Sequence, residues 1–322
     1  MTVSMPGPAG KTQRLRVLVL SDQQRPATAS VFALRGRDVG VVWQGPIKGR
    51  ETLDSMGNLE FLPPHRVGTS DRPLGRAIMG YSPGTKTRKT SAPTARLQNL
   101  LTAQTGVAPL LVDTGWLEVA HIDEIMHVAP AASVRGWQLV VADPQAAIDL
   151  LKKAGAAGHG KVAVTSAPDS NFGTIADVVA DKGMVGVNTL AATRITAALQ
   201  SVKAATGLTD ADIIRVPVLF TQEINPDAEP SKAQDTSLSA LLPNAVNGVV
   251  LGRDRYLAAK QFGPMINGRD LFADAVSAAY AKAGFTVSYV DTFRPYHTGG
   301  GEIHCGTNTL RNATTPWWRP VG

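Results

Sequence analysis

Short apolar segments alternate with alanine-rich helical patterns along the whole of this 322-residue sequence, and this alternation restricts its fold more than any other feature. Segments with the length and apolar content of buried or half-buried strands are RVLVLS, DVGVVWQG, APLLVDTG, WQLVVADP, KVAVTSAP, IIRVPVLFT, NGVVLG and FTVSYVDTF. Segments with apolar residues at helical spacing and a glycine at the end are TARLQNLLTAQTG, PQAAIDLLKKAGAAG, TLAATRITAALQSVKAATG and GRDLFADAVSAAYAKAG. Strands and helices in alternation predict an α/β fold. No low-complexity linker and no clean repeat divides the chain, so we expect a single domain over residues 1–322.

The composition is that of a soluble globular protein, with 43% hydrophobic and 18% charged residues. The formal net charge of +6 raises the question of nucleic-acid binding. The densest basic run, Lys86 to Lys89, follows Pro83 and Gly84 and is typical of a solvated loop. No nucleic-acid motif accompanies it, so we expect no nucleic-acid partner. A Gly-x-Gly-x-x-Gly motif and a Walker phosphate loop are also absent, which disfavours nucleotide-binding α/β proteins.

The N-terminal twenty residues lack the pattern of a secretory signal, because their short apolar run follows basic residues and has no cleavage site behind it. No apolar stretch approaches the ~18 residues that a membrane span requires. We therefore expect no membrane association and, by default, a cytoplasmic protein.

The only cysteine, Cys305, stands in the glycine-rich and polar stretch GGGEIHCGTN. A single cysteine excludes an intrachain disulfide framework and a zinc site built from a cysteine cluster. An inert buried thiol is the usual interpretation of a lone cysteine. Here the glycines would let backbone and substrate approach the sulfur, and His304 would lower the pKa of the thiol towards the reactive thiolate. The stretch thus also fits a nucleophile.

A second candidate cluster lies in the segment VAHIDEIMHVAP. His121 and Asp123 are two residues apart, and on a strand both side chains would lie on one face. A histidine beside a carboxylate can move a proton and hold a cation. The alternatives are a satisfied, partly buried histidine with a solvated acidic pair, or a zinc site with His121, Asp123 and His127 as ligands. The spacing is not that of the HExxH zinc motif.

Together these stretches resemble the catalytic domain of the protein-arginine deiminases. That family carries a His-Val-Asp-Glu-type motif and a C-terminal Gly-Glu-Val-His-Cys-Gly-Thr-Asn motif followed by paired tryptophans. The corresponding segments here are HIDE from His121, GEIHCGTN from Gly301, and Trp317 with Trp318. Further similar stretches, in the same order, are GNLEFLPP, RPLGRAIMG, GLTDADIIRVPVLF, PNAVNGVVLG and FGPMINGR. The resemblance covers nearly the whole chain.

The resemblance implies a cysteine hydrolase that converts peptidyl-arginine to peptidyl-citrulline and releases ammonia. Cys305 would attack the central carbon of the guanidinium and form a covalent thiouronium intermediate. Asp123 would accept hydrogen bonds from the guanidinium, and His121 would protonate ammonia and then activate water. Arg25 would hold the substrate backbone, or else is a surface charge. The partner implied is an arginine-containing peptide or protein.

The resemblance also implies calcium as a cofactor. Met56 and Leu59, through their carbonyls, and Glu60, through its carboxylate, match a family calcium site, and hard oxygen ligands suit this ion. An ordinary turn with an exposed glutamate is the alternative. A second family site is poorly matched: Ser21 and Gln24 are suitable, but Leu20 stands where an aspartate is expected.

The fold implied is a five-bladed α/β propeller of the pentein type, built from pseudo-fivefold ββαβ modules, with the first blade incomplete. The family's Trp-x-x-Asp motif, which supplies a first catalytic carboxylate, does not occur in this sequence. We therefore expect either an upstream start, with secretion then open, or a weakened enzyme. A catalytically impaired arginine-binding remnant is the alternative function, and a deiminase of free guanidines or agmatine is a more distant one.

Overall fold

The structure is a computed structural model that describes residues 2–6, 12–20, 28–43, 52–84, 89–222 and 237–307. Strands and helices alternate through these ranges, which confirms the mixed α/β class predicted from the sequence. No helix in the described ranges has both the length and the apolar character needed to cross a membrane. The single domain over residues 1–322 stays a prediction.

Four three-stranded sheets in the described ranges share one connectivity. In each sheet the first strand pairs antiparallel with the second, and the second pairs parallel with the third. Parallel neighbours cannot be joined by a tight turn, so helical chain crosses over between the second and third strands. The sheets are β1 (Thr2–Pro6), β2 (Thr12–Leu20) and β3 (Val39–Trp43); β4 (Glu60–Leu62), β7 (Arg76–Tyr81) and β8 (Leu110–Asp113); β9 (Met126–Pro130), β10 (Trp137–Asp143) and β11 (Ile213–Pro217); and β14 (Val249–Val250), β15 (Arg255–Ala259) and β18 (Thr286–Val290).

This connectivity is the ββαβ unit that the family resemblance implies. The first unit, expected to be incomplete, contains three strands like the others. The described strands form separate sheets, and none of these sheets is closed on itself. Three short antiparallel pairs lie outside the four units: β5 (His65–Val67) with β6 (Ser70–Arg72), β12 (Phe220–Gln222) with β13 (Leu238–Ala240), and β16 (Met265–Ile266) with β17 (Arg269–Asp270).

The crossovers are made by six described α-helices, with α1 in the first unit, α2 in the second, α3 to α5 in the third and α6 in the fourth. They are α1 (Thr28–Val31), α2 (Ala95–Thr105), α3 (Pro144–Ala154), α4 (Ile175–Ala180), α5 (Lys182–Thr206) and α6 (Leu271–Ala281). The four helices predicted from the sequence are all present. Helix α5 begins earlier than predicted because the carboxylate of Asp181 accepts the Gly183 N–H at 2.7 Å and caps its first turn.

One predicted strand, KVAVTSAP at residues 161–168, is wrong. Within this segment Ala163 forms only an isolated bridge with Thr174. The side chain of Val164 is fully buried in an apolar cluster with Leu151 and Ile175, so the apolar residues pack under two helices. Burial rather than strand pairing explains this apolar run.

The largest apolar cluster of the described residues packs α5 against the sheets of the second and third units and continues to β15 and α6 of the fourth. Helix α5 contributes Ala191, Ile195, Leu199 and Val202, which recur at the spacing of a single helical face. This packing holds the second and third units side by side. The candidate site residues lie in the segments that follow the strands: His121 and Asp123 lie between β8 and β9, and Cys305 follows β18.

Candidate active site

Cys305 lies in a tight turn, and the residue as a whole is exposed. The turn is closed by hydrogen bonds from Gly306 N to Glu302 O at 3.1 Å and from Thr307 N to His304 O at 3.1 Å. Because the residue is exposed, the alternative of an inert buried cysteine is wrong.

The Cys305 turn is anchored by a buried carboxylate. Glu302 is 3% exposed, and its Oε1 lies 2.7 Å from His297 Nδ1 and accepts the N–H of Asn244 at 3.1 Å. Its Oε2 accepts the hydroxyl of Thr292 at 3.2 Å. Hydrogen-bonded on both oxygens, this carboxylate fixes the backbone three residues before the sulfur.

His121 and Asp123 lie at a 3₁₀ turn over Ile122–Glu124 and not on a strand, so the alternation considered for them does not apply. The physical reason is that the Glu124 carboxylate accepts the N–H of His121 at 2.8 Å, which closes the chain into a turn. Strand β9 begins only at Met126. The turn, and not the alternation of a strand, brings the side chains of His121 and Asp123 into one cluster.

The structure brings His121 and Asp123 together with Cys305, despite a separation of 182 residues between the aspartate and the cysteine. Their Nδ1 or Nε2, carboxylate and Sγ atoms lie within 4.8 Å of one another. Within this group, Cys305 Sγ lies 3.4 Å from Asp123 Oδ2. The expected convergence is met, and the roles of the three residues stay predictions.

His127 is not a member of this cluster. Its Nδ1 lies 2.8 Å from the carbonyl of Val246, and burial lowers the pKa of His127 to about 3, so the ring is neutral. The zinc alternative required His127 beside His121 and Asp123, whereas the cluster formed by the described residues contains Cys305 in its place. The geometry does not favour that set of zinc ligands.

Asp123 is 1% exposed and uses its two oxygens differently. Its Oδ2 accepts a hydrogen bond from His304 Nδ1 at 2.8 Å. Its Oδ1 is buried without a hydrogen-bond partner among the described residues. Burial acts to lower the pKa of His304. The hydrogen bond to Asp123, the negative charge of Asp123 and the negative charge of Glu60 act in the opposite direction, and the pKa is raised overall. The hydrogen bond to Asp123 thus favours the cationic form of His304.

The thiol of Cys305 is electrostatically unfavourable as an anion in this arrangement. Desolvation by the surrounding protein, and then the negative charge of Asp123, raise the pKa of the thiol, while the backbone at Glu302 and the amide of Asn247 act to lower it. The expectation that His304 lowers the pKa of Cys305 is therefore wrong. The physical reason is that His304 is paired with Asp123.

The ring of His121 is oriented by Thr52. Nε2 lies 2.7 Å from the carbonyl oxygen of Thr52 and 3.0 Å from its hydroxyl, which itself donates to the carbonyl of Val119 at 3.0 Å. A carbonyl only accepts, so we infer that Nε2 carries a hydrogen, and in the neutral ring Nδ1 then has the lone pair. Nδ1 is the nitrogen available for proton transfer.

Sequence reasoning missed two residues that contact the site, Thr52 and Asn247. Thr52 orients His121, and the side-chain amide of Asn247 donates to Cys305 Sγ at 3.2 Å. Neither residue belongs to a motif with a recognisable chemical spacing. The only signal was that Asn247 lies in PNAVNGVVLG, one of the stretches similar to the family.

Gly57 gives the first prediction, because a Cβ at this position would lie 2.8 Å from His121 Nδ1 and 2.9 Å from Asp123 Oδ2. Both side chains are held by hydrogen bonds and cannot simply swing away. We expect Gly57→Ala to lower kcat by about 10²-fold, the size of effect given by a misplacement of about 1 Å. Steady-state turnover measures it. Gly186→Ala, within α5 with open space around the new Cβ, is the control and should leave kcat unchanged. Parent-like turnover in Gly57→Ala would contradict the packing described here.

The proposed calcium ligands Met56, Leu59 and Glu60 lie where the 3₁₀ turn over Met56–Asn58 leads into β4. The carbonyl of Met56 accepts the N–H of Leu59 at 3.2 Å, which leaves a second lone pair on that oxygen. Burial raises the pKa of the Glu60 carboxyl to about 7, although the charge of His304 acts to lower it. Two carbonyls and a desolvated carboxylate form an oxygen donor set that fits calcium chemically.

Several residues singled out in the sequence lie outside the described ranges. They are Arg25, the Ser21 and Gln24 of the second calcium site, Asn308 of the cysteine motif, and Trp317 with Trp318. Their roles stay predictions.

Comparison with known proteins agrees with the family resemblance. Residues 2–319 match the model of the protein-arginine deiminase family. The chain is 33% identical over 293 residues to protein-arginine deiminase type-4 of Rattus norvegicus and 33% identical over 311 residues to the type-4 protein of Homo sapiens. This chain belongs to the protein-arginine deiminase family. It spans less than half the length of these curated relatives, 43% of the rat protein and 45% of the human one.

Among solved structures, a C. jejuni agmatine deiminase superposes on 92% of this chain and 66% of its own, with a TM-score of 0.41 and 11% identity. A likeness at that level carries no argument about the chemistry of this chain.

Proposed function

We propose that this chain hydrolyses the guanidinium group of arginine in peptides, forming citrulline and ammonia. The observation that supports this most is the buried Oδ1 of Asp123, which has no hydrogen-bond partner among the described residues. It belongs to a carboxylate whose other oxygen lies 3.4 Å from Cys305 Sγ. A guanidinium N–H would satisfy this acceptor and would bring the central carbon of the cation close to the sulfur.

The reaction proceeds in two halves. In the first, His121 Nδ1 takes the proton of the Cys305 thiol, the resulting thiolate forms a bond to the central carbon of the guanidinium, and a C–N bond breaks as ammonia leaves with that proton. The product is a thiouronium on Cys305. In the second, His121 removes a proton from water, the water oxygen bonds to the same carbon, and the C–S bond breaks to give citrulline and the free thiol.

Substrate binding also assists formation of the thiolate. Without a cation the charge of Asp123 raises the pKa of Cys305. A guanidinium on Asp123 places a positive charge next to the sulfur and lowers that pKa, because opposite charges within a few ångströms favour the ionised form. The nucleophile then forms mainly when substrate is present.

Recognition of a peptide, as opposed to a free guanidine, is assigned to Arg25, which would donate hydrogen bonds to substrate carbonyls. The pentein-type arrangement of five ββαβ modules is part of the same proposal. It is supported by the four units with identical connectivity and by the additional pair β12–β13. In such an arrangement the residues that follow the inner strands face a common centre.

Calcium, when bound by Met56, Leu59 and Glu60, would supply a positive charge beside the site and hold this turn against the cluster. Gly57, within the same turn, lies so close to His121 and Asp123 that there is no room for a Cβ between them. A calcium ion that fixes this turn would therefore also fix the positions of the His121 and Asp123 side chains.

Calcium bound at this turn should stabilise the folded chain. A ligand that binds only the folded state at about 100 times its dissociation constant contributes about 2.7 kcal/mol. We expect calcium to raise the Tm of the parent chain by a few degrees in differential scanning calorimetry and Glu60→Gln to remove most of that rise. Magnesium is the control ion, since it demands a more regular octahedron of ligands. An equal calcium-induced rise in Glu60→Gln would show that Glu60 is not a ligand.

A second candidate function is arginine binding without turnover. It is favoured by the single carboxylate in the cluster of described residues. Asp113 does not supply a second carboxylate to the cluster, because it pairs with Arg194 at 3.0 Å. A turnover assay on a blocked arginine ester, with agmatine in parallel and calcium present, separates the possibilities. Citrulline from the ester supports the proposal; calorimetric binding without ammonia supports the second candidate; and ammonia from agmatine alone indicates a deiminase of free guanidines.

A further inference from the structure

The side-chain amide of Asn247 contacts Cys305 at two points. Its Oδ1 accepts the backbone N–H of Cys305 at 3.3 Å, and its Nδ2 donates to Sγ at 3.2 Å. Its main-chain carbonyl also accepts the N–H of His304 at 3.2 Å. The backbone N–H can only donate, so the oxygen of the amide must face it and the NH₂ group must face the sulfur.

The amide is held in this orientation by a rigid environment. Asn247 is 2% exposed, and its N–H donates to the carbonyl of Asn244 at 3.2 Å. The two carbonyls between these asparagines accept the hydroxyl of the buried Tyr256, Ala245 O at 2.9 Å and Val246 O at 3.0 Å. The donor to the sulfur is therefore fixed before any substrate arrives.

We propose that Asn247 is a catalytic residue that places the Cys305 sulfur and stabilises its anion through the N–H···S contact. This inference rests on the proposed function, in which that anion is the nucleophile. The need for such a donor follows from the surroundings: Asp123, 3.4 Å from the sulfur, disfavours a negative charge there, and the side chain of His304 is paired with Asp123. The hydrogen bond from the Asn247 amide acts in the opposite direction and favours the ionised form of Cys305.

The test is the pH dependence of alkylation of Cys305 by iodoacetamide, a neutral reagent that reacts with the thiolate. Cys305 is the only cysteine, so total labelling reports this residue alone. A hydrogen bond to a charged group corresponds to a factor of about 10 to 100 in an ionisation equilibrium. We expect Asn247→Ala to lower the alkylation rate at neutral pH by that factor and to move the midpoint upward. Asn247→Asp keeps the acceptor for the backbone N–H, loses the donor and should move the midpoint at least as far.

The matched control is Asn188→Asp. Asn188 is 1% exposed and bonds the backbone of Met184 and Phe220 in another part of the molecule. This variant buries the same new carboxyl and should leave the alkylation midpoint at the parent value. In the Asn247 variants kcat should fall with KM unchanged, because the contact is to the nucleophile and not to the substrate.

An unchanged alkylation midpoint in both Asn247 variants, with only a lowered Tm, would overturn the proposal and leave Asn247 a structural residue. The alkylation measurement does not require deimination. A shifted midpoint in a chain that never forms citrulline would support the stabilisation of the sulfur anion by Asn247 while contradicting the proposed function.

Discussion

Replacement of Cys305 by serine is expected to eliminate citrulline formation, with a fall in kcat of at least about 10³-fold, comparable to the loss of the nucleophile in other hydrolases. A hydroxyl near neutral pH is far less ionised than a thiol and is a poorer nucleophile towards a cation whose charge is delocalised over three nitrogens. Ammonia release from a blocked arginine ester measures the loss.

The fold should survive this change. The Cys305 side chain is exposed, and the turn that carries it is anchored through the buried carboxylate of Glu302. We therefore expect the Tm of Cys305→Ser to match that of the parent chain. Ammonia release at the parent rate by the folded variant would show that Cys305 is not the nucleophile.

Asp123→Asn is expected to cause the second-largest loss. The amide keeps the shape of the carboxylate but replaces its charge-assisted hydrogen bonds to the guanidinium, which are each worth about 1.5–3 kcal/mol. Loss of two such bonds corresponds to a fall of about 10²- to 10⁴-fold in kcat/KM, since each 1.36 kcal/mol is a factor of ten. Steady-state kinetics on an arginine peptide measures it.

Asp123→Asn should make the Cys305 thiol more reactive, although it lowers turnover. The charge of Asp123 raises the pKa of the thiol, so removal of that charge lowers this pKa, and the thiolate then persists to lower pH. Alkylation of Cys305 by iodoacetamide should become faster at neutral pH while turnover collapses. Asp113→Asn, which removes a partly exposed partner of Arg194 outside the cluster, is the control and should alter neither rate. Parallel losses of alkylation and turnover in Asp123→Asn would indicate a disrupted fold instead of a lost substrate contact.

Local pattern was enough to predict the α/β class and the helices. Helix α2, for example, begins at the capping residue Thr94 and ends at Gly106, whose φ of 73° suits glycine. Local pattern failed at residues 161–168, where the apolar residues fill a gap under α3 and α4. Apolar periodicity reports burial, and only the partner surface decides whether a buried segment becomes a strand.

Part of the site could also be predicted, because Cys305, His121 and Asp123 belong to motifs with recognisable chemistry. Their electrostatics could not be predicted. His304 adjoins Cys305 in sequence, which suggested that it activates the thiol, but in space it donates to Asp123. Asn247 donates a hydrogen bond to the sulfur, and Gly57 leaves room for His121 and Asp123 because it has no side chain. Both effects arise only when segments distant in sequence pack together.

The central claim is that this chain deiminates arginine within peptides through Cys305. Its most direct test is mass spectrometry of an arginine-containing peptide incubated with the purified chain and calcium in heavy-oxygen water. The account predicts conversion of arginine to citrulline with the heavy oxygen on the new carbonyl, an equal amount of ammonia, and no conversion by Cys305→Ser. A peptide that stays unmodified while the parent chain hydrolyses agmatine, or citrulline formed equally by Cys305→Ser, would contradict it.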